Sequence, residues 1–189
     1  MDAKGIINYG LSKVSSSRVN SIAPPTSKLE KNCAEFYPQW RDSELTKRRW
    51  VFARRVAALN LNPSVTPLEG RTFAFDMEPD MLRPIRDRQS TWIQNGRTIL
   101  GYAEALTVEY IARVPESEFD PLFVDVLGWR VVIESVEFIT QSNTKSADAQ
   151  AQYDKAVKIA GINNALIVGP ENSVSADELD EWELARMGA

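Results

Sequence analysis

The chain contains no histidine and a single cysteine, Cys33, among its 189 residues. Catalysis by an imidazole base, zinc sites of cysteine and histidine, and haem held by an axial histidine are therefore excluded, because each needs a side chain that is missing. One thiol cannot form an internal disulfide. Glycine is sparse too. No two of the nine glycines are closer than five residues, so neither a dinucleotide-binding glycine loop nor a Walker phosphate loop is present. No uninterrupted apolar run exceeds four residues, far short of the roughly 20 that span a bilayer. The N-terminus lacks the charged and then apolar blocks of a secretory leader. These absences predict a protein made and kept in a reducing cytoplasm, with no membrane partner. Any catalysis would have to use carboxylates, lysine, tyrosine or an oxygen-ligated metal.

What is present is the composition of a globular domain: 43% hydrophobic and 25% charged residues, enough for a core and too apolar for disorder. The net charge of −4 hides a gradient. Residues 1–60 hold 11 basic and 5 acidic side chains, residues 61–115 hold 6 and 7, and residues 116–189 hold 5 and 14. Opposed charges at the two ends of a chain bear on partners rather than fold, since they can steer neighbouring subunits or approach nucleic acid.

Apolar spacing predicts four helices. Ile7, Leu11 and Val14 form the stripe of a helix over about 3–15. Ser27-Lys28-Leu29-Glu30 reads as a capping box opening a second helix over about 27–60, with Leu29, Cys33, Phe36 and Trp40 as its stripe and a kink at Pro38. Asp120-Pro121 is an N-cap followed by a proline at the first helical position. It opens a third helix over about 121–140 carrying Leu122, Val126, Trp129, Ile133 and Val136. Ala149, Tyr153, Ala156 and Ala160 mark a fourth over about 145–161, ending at Gly161. Between helices two and three, residues 71–113 change period, and Asn95-Gly96 is a two-residue hairpin signal. The expected fold is α+β but mainly α: a four-helix bundle-like core with a small antiparallel β insertion. The expected organisation is one domain over 1–166 and an extended C-terminal arm over 167–189.

Motifs for chemistry are weak. Ser142-Asn143-Thr144-Lys145 matches a Ser-x-x-Lys pattern without the motifs that accompany it in penicillin-interacting enzymes. The acidic run from Asp177 to Glu183 has no glycine where a calcium loop bends. The sequence points to no catalytic residue, no metal ligand and no cofactor. The strongest local feature is basic: Lys47, Arg48, Arg49, Arg54 and Arg55 are interleaved with Trp50 and Phe52, the pattern of a nucleic-acid footprint. Trp50 and Phe52 could equally pack inward while the cations meet water or carboxylates.

An ordered series of segments resembles the N-terminal half of tail tubular protein A, the head-to-tail adaptor family of short-tailed bacteriophages. The series runs from Ile6-Ile7-Asn8-Tyr9-Gly10-Leu11-Ser12-Lys13-Val14 through Arg18-Val19-Asn20-Ser21-Ile22, Cys33 to Tyr37, Arg41-Asp42 and Trp50-Val51-Phe52-Ala53. It continues through Phe73 to Arg83, Asn95-Gly96-Arg97-Thr98-Ile99-Leu100, Tyr110-Ile111-Ala112-Arg113 and Phe119-Asp120-Pro121-Leu122-Phe123. The family is usually alanine-rich in the helix after Asp120-Pro121, whereas Gly128-Trp129-Arg130-Val131-Val132-Ile133 here is bulkier. From Ile167 onward the match is loose, around Trp182 to Arg186.

The resemblance implies a structural virion protein of the neck or tail, made in the host bacterial cytoplasm. Its partners would be about twelve copies of itself in a ring, the portal, a tail nozzle resembling tail tubular protein B, tail fibres, and double-stranded genomic DNA passing non-specifically through the lumen at ejection. Under this reading the basic cluster faces the lumen or a subunit interface, and Trp182, Leu184 and Arg186 dock the arm on a partner. The alternative is a basic-helix nucleic-acid-binding protein acting in genome packaging, and a third reading is an enzyme working through carboxylates.

Overall fold

A computed structural model of the chain describes residues 1–14, 18–68, 70–86, 91–139 and 143–168, with side chains for all of these except 136–139 and 143–145. Four α-helices occur among them: α1 (Ala3–Ser12), α2 (Lys28–Lys47), α3 (Pro121–Ile139) and α4 (Asn143–Val168). Seven strands lie between α2 and α3: β1 (Arg54–Ala58), β2 (Asn60–Leu61), β3 (Phe73–Asp76), β4 (Met81–Pro84), β5 (Ile93–Asn95), β6 (Thr98–Gly101) and β7 (Thr107–Ala112). They form a three-stranded sheet in the order β1-β7-β4 and a four-stranded sheet in the order β2-β3-β6-β5, each antiparallel throughout.

The expected mainly-α four-helix bundle is therefore incorrect. The chain is α+β with two antiparallel sheets, about 49% helix and 19% strand, and the β region is an architectural half rather than a small insertion. The difference arises at residues 48–60. Arg48 turns extended, at φ −139° and ψ 164°, and ends α2. A 3-10 turn (Val51–Ala53) comes next, and Arg54–Ala58 pairs in full with Thr107–Ile111 of β7. Ala57-Ala58 favours helix locally, but a ladder to a central strand supplies backbone partners for the whole segment and overrides that preference.

Side-chain caps set the helix ends: the expected signals at Ser27–Glu30 and Asp120 are present, and Asp2 adds one that apolar spacing does not reveal. The Asp2 carboxylate accepts the Gly5 N–H at 2.8 Å and caps α1. The Ser27–Glu30 capping box is complete, and the Asp120 carboxylate accepts the Leu122 N–H at 2.8 Å. The β5–β6 hairpin turns at Gly96-Arg97, one position later than the expected Asn95-Gly96, because Asn95 pairs with Thr98; Gly96 sits at φ +61°, a conformation that glycine adopts without steric penalty. Gly161 does not end α4, which continues to Val168. A Cβ at Gly161 would lie 2.8 Å from Nη1 of Arg48, so glycine there admits the guanidinium against the helix.

The helix α3 is the hub on which α1, α2 and α4 all pack, while α2 also meets β4 and β7 of the three-stranded sheet. Phe123, Val126, Leu127, Val131 and Val132 are fully buried. At 100° per residue they cover well over half of the circumference. Of the expected stripe, Val126 belongs to this buried face and Leu122, Trp129 and Ile133 form its half-buried flank, while the Val136 side chain lies outside the described ones. Glu30 and Asn8 pin the connection from α1 to α2. The Glu30 carboxylate accepts N–H groups of Asn20, Thr26 and Ser27 and the Thr26 hydroxyl, and the Asn8 amide pairs with both backbone groups of Val19. Arg41 bridges Asp42 and Glu116, and Arg113 bonds Asp42 at 2.6 Å, tying α2 to the exit of β7. Among the described residues no helix is long and apolar enough to cross a membrane.

Candidate functional site

The basic segment from Lys47 to Arg55 straddles the end of α2, the 3-10 turn and β1, so its cations do not share one helical face. Lys47 donates to the Glu44 carboxylate at 2.7 Å and to the Tyr153 phenol oxygen at 2.9 Å. Desolvation works against its ammonium, but hydrogen bonding to Glu44 and Tyr153 outweighs it and holds the Lys47 pKa above its ordinary value. Arg49 reaches the Arg86 carbonyl at 3.4 Å, while Arg48 lies along α4 at Gly161. Arg54 and Arg55 point to opposite sides of β1, as successive strand residues must. Arg54 pairs with Glu109, and Arg55 with Glu118 at 2.6 Å. Lys47, Arg54 and Arg55 thus meet carboxylates of the same chain.

Trp50 and Phe52 pack inward. With Phe119 and Phe123 they form an aromatic cluster in which Phe123 stands 5.1 Å from both Trp50 and Phe52 and 5.0 Å from Phe119, centroid to centroid. Trp50 meets Phe123 edge-on, as does Phe119. Such pairs contribute about 0.5–1.5 kcal/mol each beyond burial. The Trp50 indole N–H donates to the Glu44 carbonyl at 3.0 Å, which satisfies the buried donor.

Beneath the segment lies a polar junction of three helices. Glu44 of α2 is buried to 1% exposure and accepts from Lys47 and from the Tyr153 hydroxyl of α4 at 2.9 Å. Arg130 of α3 lies 3.8 Å from the same carboxylate and bonds Glu134 at 2.6 Å. Burial, then the charge of Glu44, pushes the Tyr153 phenol pKa up, so it remains a neutral donor. Asn164 of α4 adds a clamp that sequence reasoning missed: its Oδ1 accepts the Val51 N–H at 2.8 Å and its Nδ2 donates to the Arg49 carbonyl at 3.0 Å. The only sequence signal is a polar Asn163-Asn164 pair interrupting an otherwise apolar helix end. A cleft of about 140 Å³ opens here, lined by Trp50, Val51, Phe52, Asp120, Ala160, Asn163, Asn164 and Ile167.

The same helix presents an apolar stripe on its other side. Ala149, Tyr153, Ala156 and Ala160 are buried, whereas Ile159, Ile162 and Leu166 are 46%, 55% and 75% exposed. Their 3 and 4 spacing aligns them on the outer face, with Lys155 and Lys158 at one end. This repeat is legible in the sequence, but a helix end at Gly161 cuts through it and hides it. Among the described residues no group of three or more histidine, cysteine, aspartate or glutamate side chains could hold a metal ion. The arm residues Trp182, Leu184 and Arg186 lie outside the described residues. Of the arm expected over 167–189, Ile167 and Val168 belong to α4. No family model matches the chain, and no curated protein matches it.

Proposed function

We propose that this chain is a structural, non-catalytic virion protein: a head-to-tail adaptor that forms a ring between portal and tail nozzle and lets the genome pass. The identity of the assembly rests on the ordered resemblance to tail tubular protein A across residues 5–160. The structural observation that carries the reading is the distribution of side chains on α4. Its inward polar groups, Tyr153 and Asn164, join elements of the subunit, while Ile159, Ile162 and Leu166 face outward and gain by being covered with protein. A surface of that kind suits a subunit of an assembly.

A ring needs heterologous contacts between two different complementary surfaces, and the opposed charges of the first and last thirds of the chain suit that arrangement. The internal pairing of Lys47, Arg54 and Arg55 favours the adaptor over a nucleic-acid-binding protein, because a guanidinium held by Glu109 or Glu118 has less to offer a phosphate. Native mass spectrometry of the purified chain tests the proposal. A closed oligomer of about twelve copies is expected; a monomer that binds DNA in a salt-sensitive way would favour the alternative.

A further inference from the structure

The outer stripe of α4 lacks a partner among the described residues, and the C-terminal segment beyond the helix is complementary to it. Residues 169–189 carry six acidic side chains against one basic, Arg186, together with Val174, Leu179, Trp182, Leu184 and Met187. The stripe presents Ile159, Ile162 and Leu166 beside Lys155 and Lys158. Neither lysine has an ion pair among the described residues. We propose that residues 169–189 of the same chain fold back over this stripe, with Trp182 and Leu184 on the isoleucines and the acidic groups beside the two lysines.

Length and mass action both favour this occupant. From Val168 back to Ile159, α4 spans about 14 Å, whereas the 14 residues from Gly169 to Trp182 reach about 46 Å when extended, so the reversal is unstrained. A segment tethered one residue beyond the helix has an effective concentration on the order of millimolar, well above that of a second copy in dilute solution. The proposal concerns a lone subunit, in which the segment holds the stripe until a neighbouring copy displaces it, and it stands whether or not the chain forms a ring.

Paired cysteines in the full chain test it. The native Cys33 is buried and does not compete. Ala165→Cys, beside the stripe, is combined in turn with Asp180→Cys, Glu181→Cys and Glu183→Cys and oxidised at low protein concentration. At least one pair is expected to give an intrachain disulfide, seen as a faster-migrating monomer under non-reducing conditions, with a lower yield at high salt. Interchain dimers in its place, or no crosslink in any pair, would overturn the proposal. In a second measurement, full-length Trp182→Ser/Leu184→Ser should bind an apolar dye severalfold more strongly than the parent. Adding Ile162→Glu and Leu166→Glu should remove the increase. Unchanged dye binding in the first variant, or an increase that survives the second pair of substitutions, would contradict it.

Discussion

Gly10 of α1 and Gly128 of α3 meet backbone to backbone: a Cβ added to Gly10 would lie 2.4 Å from the Gly128 carbonyl oxygen. Backbone on a packed helix cannot yield as a side chain can. Gly10→Ala must therefore separate α1 from the hub helix, at a cost of about 3 kcal/mol, the upper part of the range for overpacking. In a chain of this size that lowers Tm by about 6–12 °C. The reverse substitution behaves differently. A Cβ on Gly128 would meet the edge of the Tyr9 ring at 3.0 Å, which can shift, and alanine gains about 1 kcal/mol in helix propensity. Gly128→Ala should be near neutral. Thermal denaturation of the two variants checks this asymmetry.

The three-helix junction should depend on Glu44 much more than on Lys47. Removing a buried carboxylate that holds partners on α2 and α4 costs about 3–5 kcal/mol, so Glu44→Ala should be severe. Tyr153→Phe, which loses one hydrogen bond to that carboxylate, should cost about 2 kcal/mol. Lys47, whose side chain is 43% exposed, should contribute under about 1 kcal/mol. Urea denaturation of Glu44→Ala, Tyr153→Phe and Lys47→Ala should give that order.

Acid stability should carry the signature of Glu30. The Thr26 hydroxyl first, then N–H groups of Ser27, Thr26 and Asn20, hold its carboxyl well below its ordinary value of 4.5. A depressed folded-state pKa contributes stability that is complete above the unfolded value and is lost as pH falls toward the folded one. Glu30→Gln should therefore melt below the parent at pH 7. The difference should shrink progressively below pH 4.5. A constant difference from pH 7 to pH 3 would show that the carboxylate charge does not matter.

Under the adaptor proposal any affinity for DNA should be weak and without sequence preference, because a conduit must let the duplex slide. Its logarithm should fall by about 0.9 per phosphate contact for each log unit of salt. Fluorescence anisotropy with two unrelated duplexes across a salt series measures both properties. A reproducible preference for one duplex would support the packaging protein instead.

Local chemistry is legible where one or two residues decide an outcome. Asp2, Ser27 with Glu30, and Asp120 each cap a helix, and Gly96 opens a hairpin turn. Pairing between distant segments is not. Nothing within residues 54–58 announces that Glu109 and Glu118 will receive Arg54 and Arg55, and the basic run looks continuous because these two carboxylates lie over 50 residues away. Gly161 misleads because a glycine near a helix end signals termination, whereas here it makes room for Arg48. The core face of α3 is hard to place because three helices bury it from several sides, so a single-stripe pattern finds Val126 of that face and otherwise its flank.

The mass and shape of the assembled protein bear most directly on the adaptor reading. Negative-stain electron microscopy of the purified full chain, at low and high salt, should show closed rings with a central opening of constant symmetry, and those rings should become scarcer as salt screens the charges within about 8 Å at physiological strength and less above it. Particles that remain single subunits under every condition, or that build open filaments in place of rings, would contradict it.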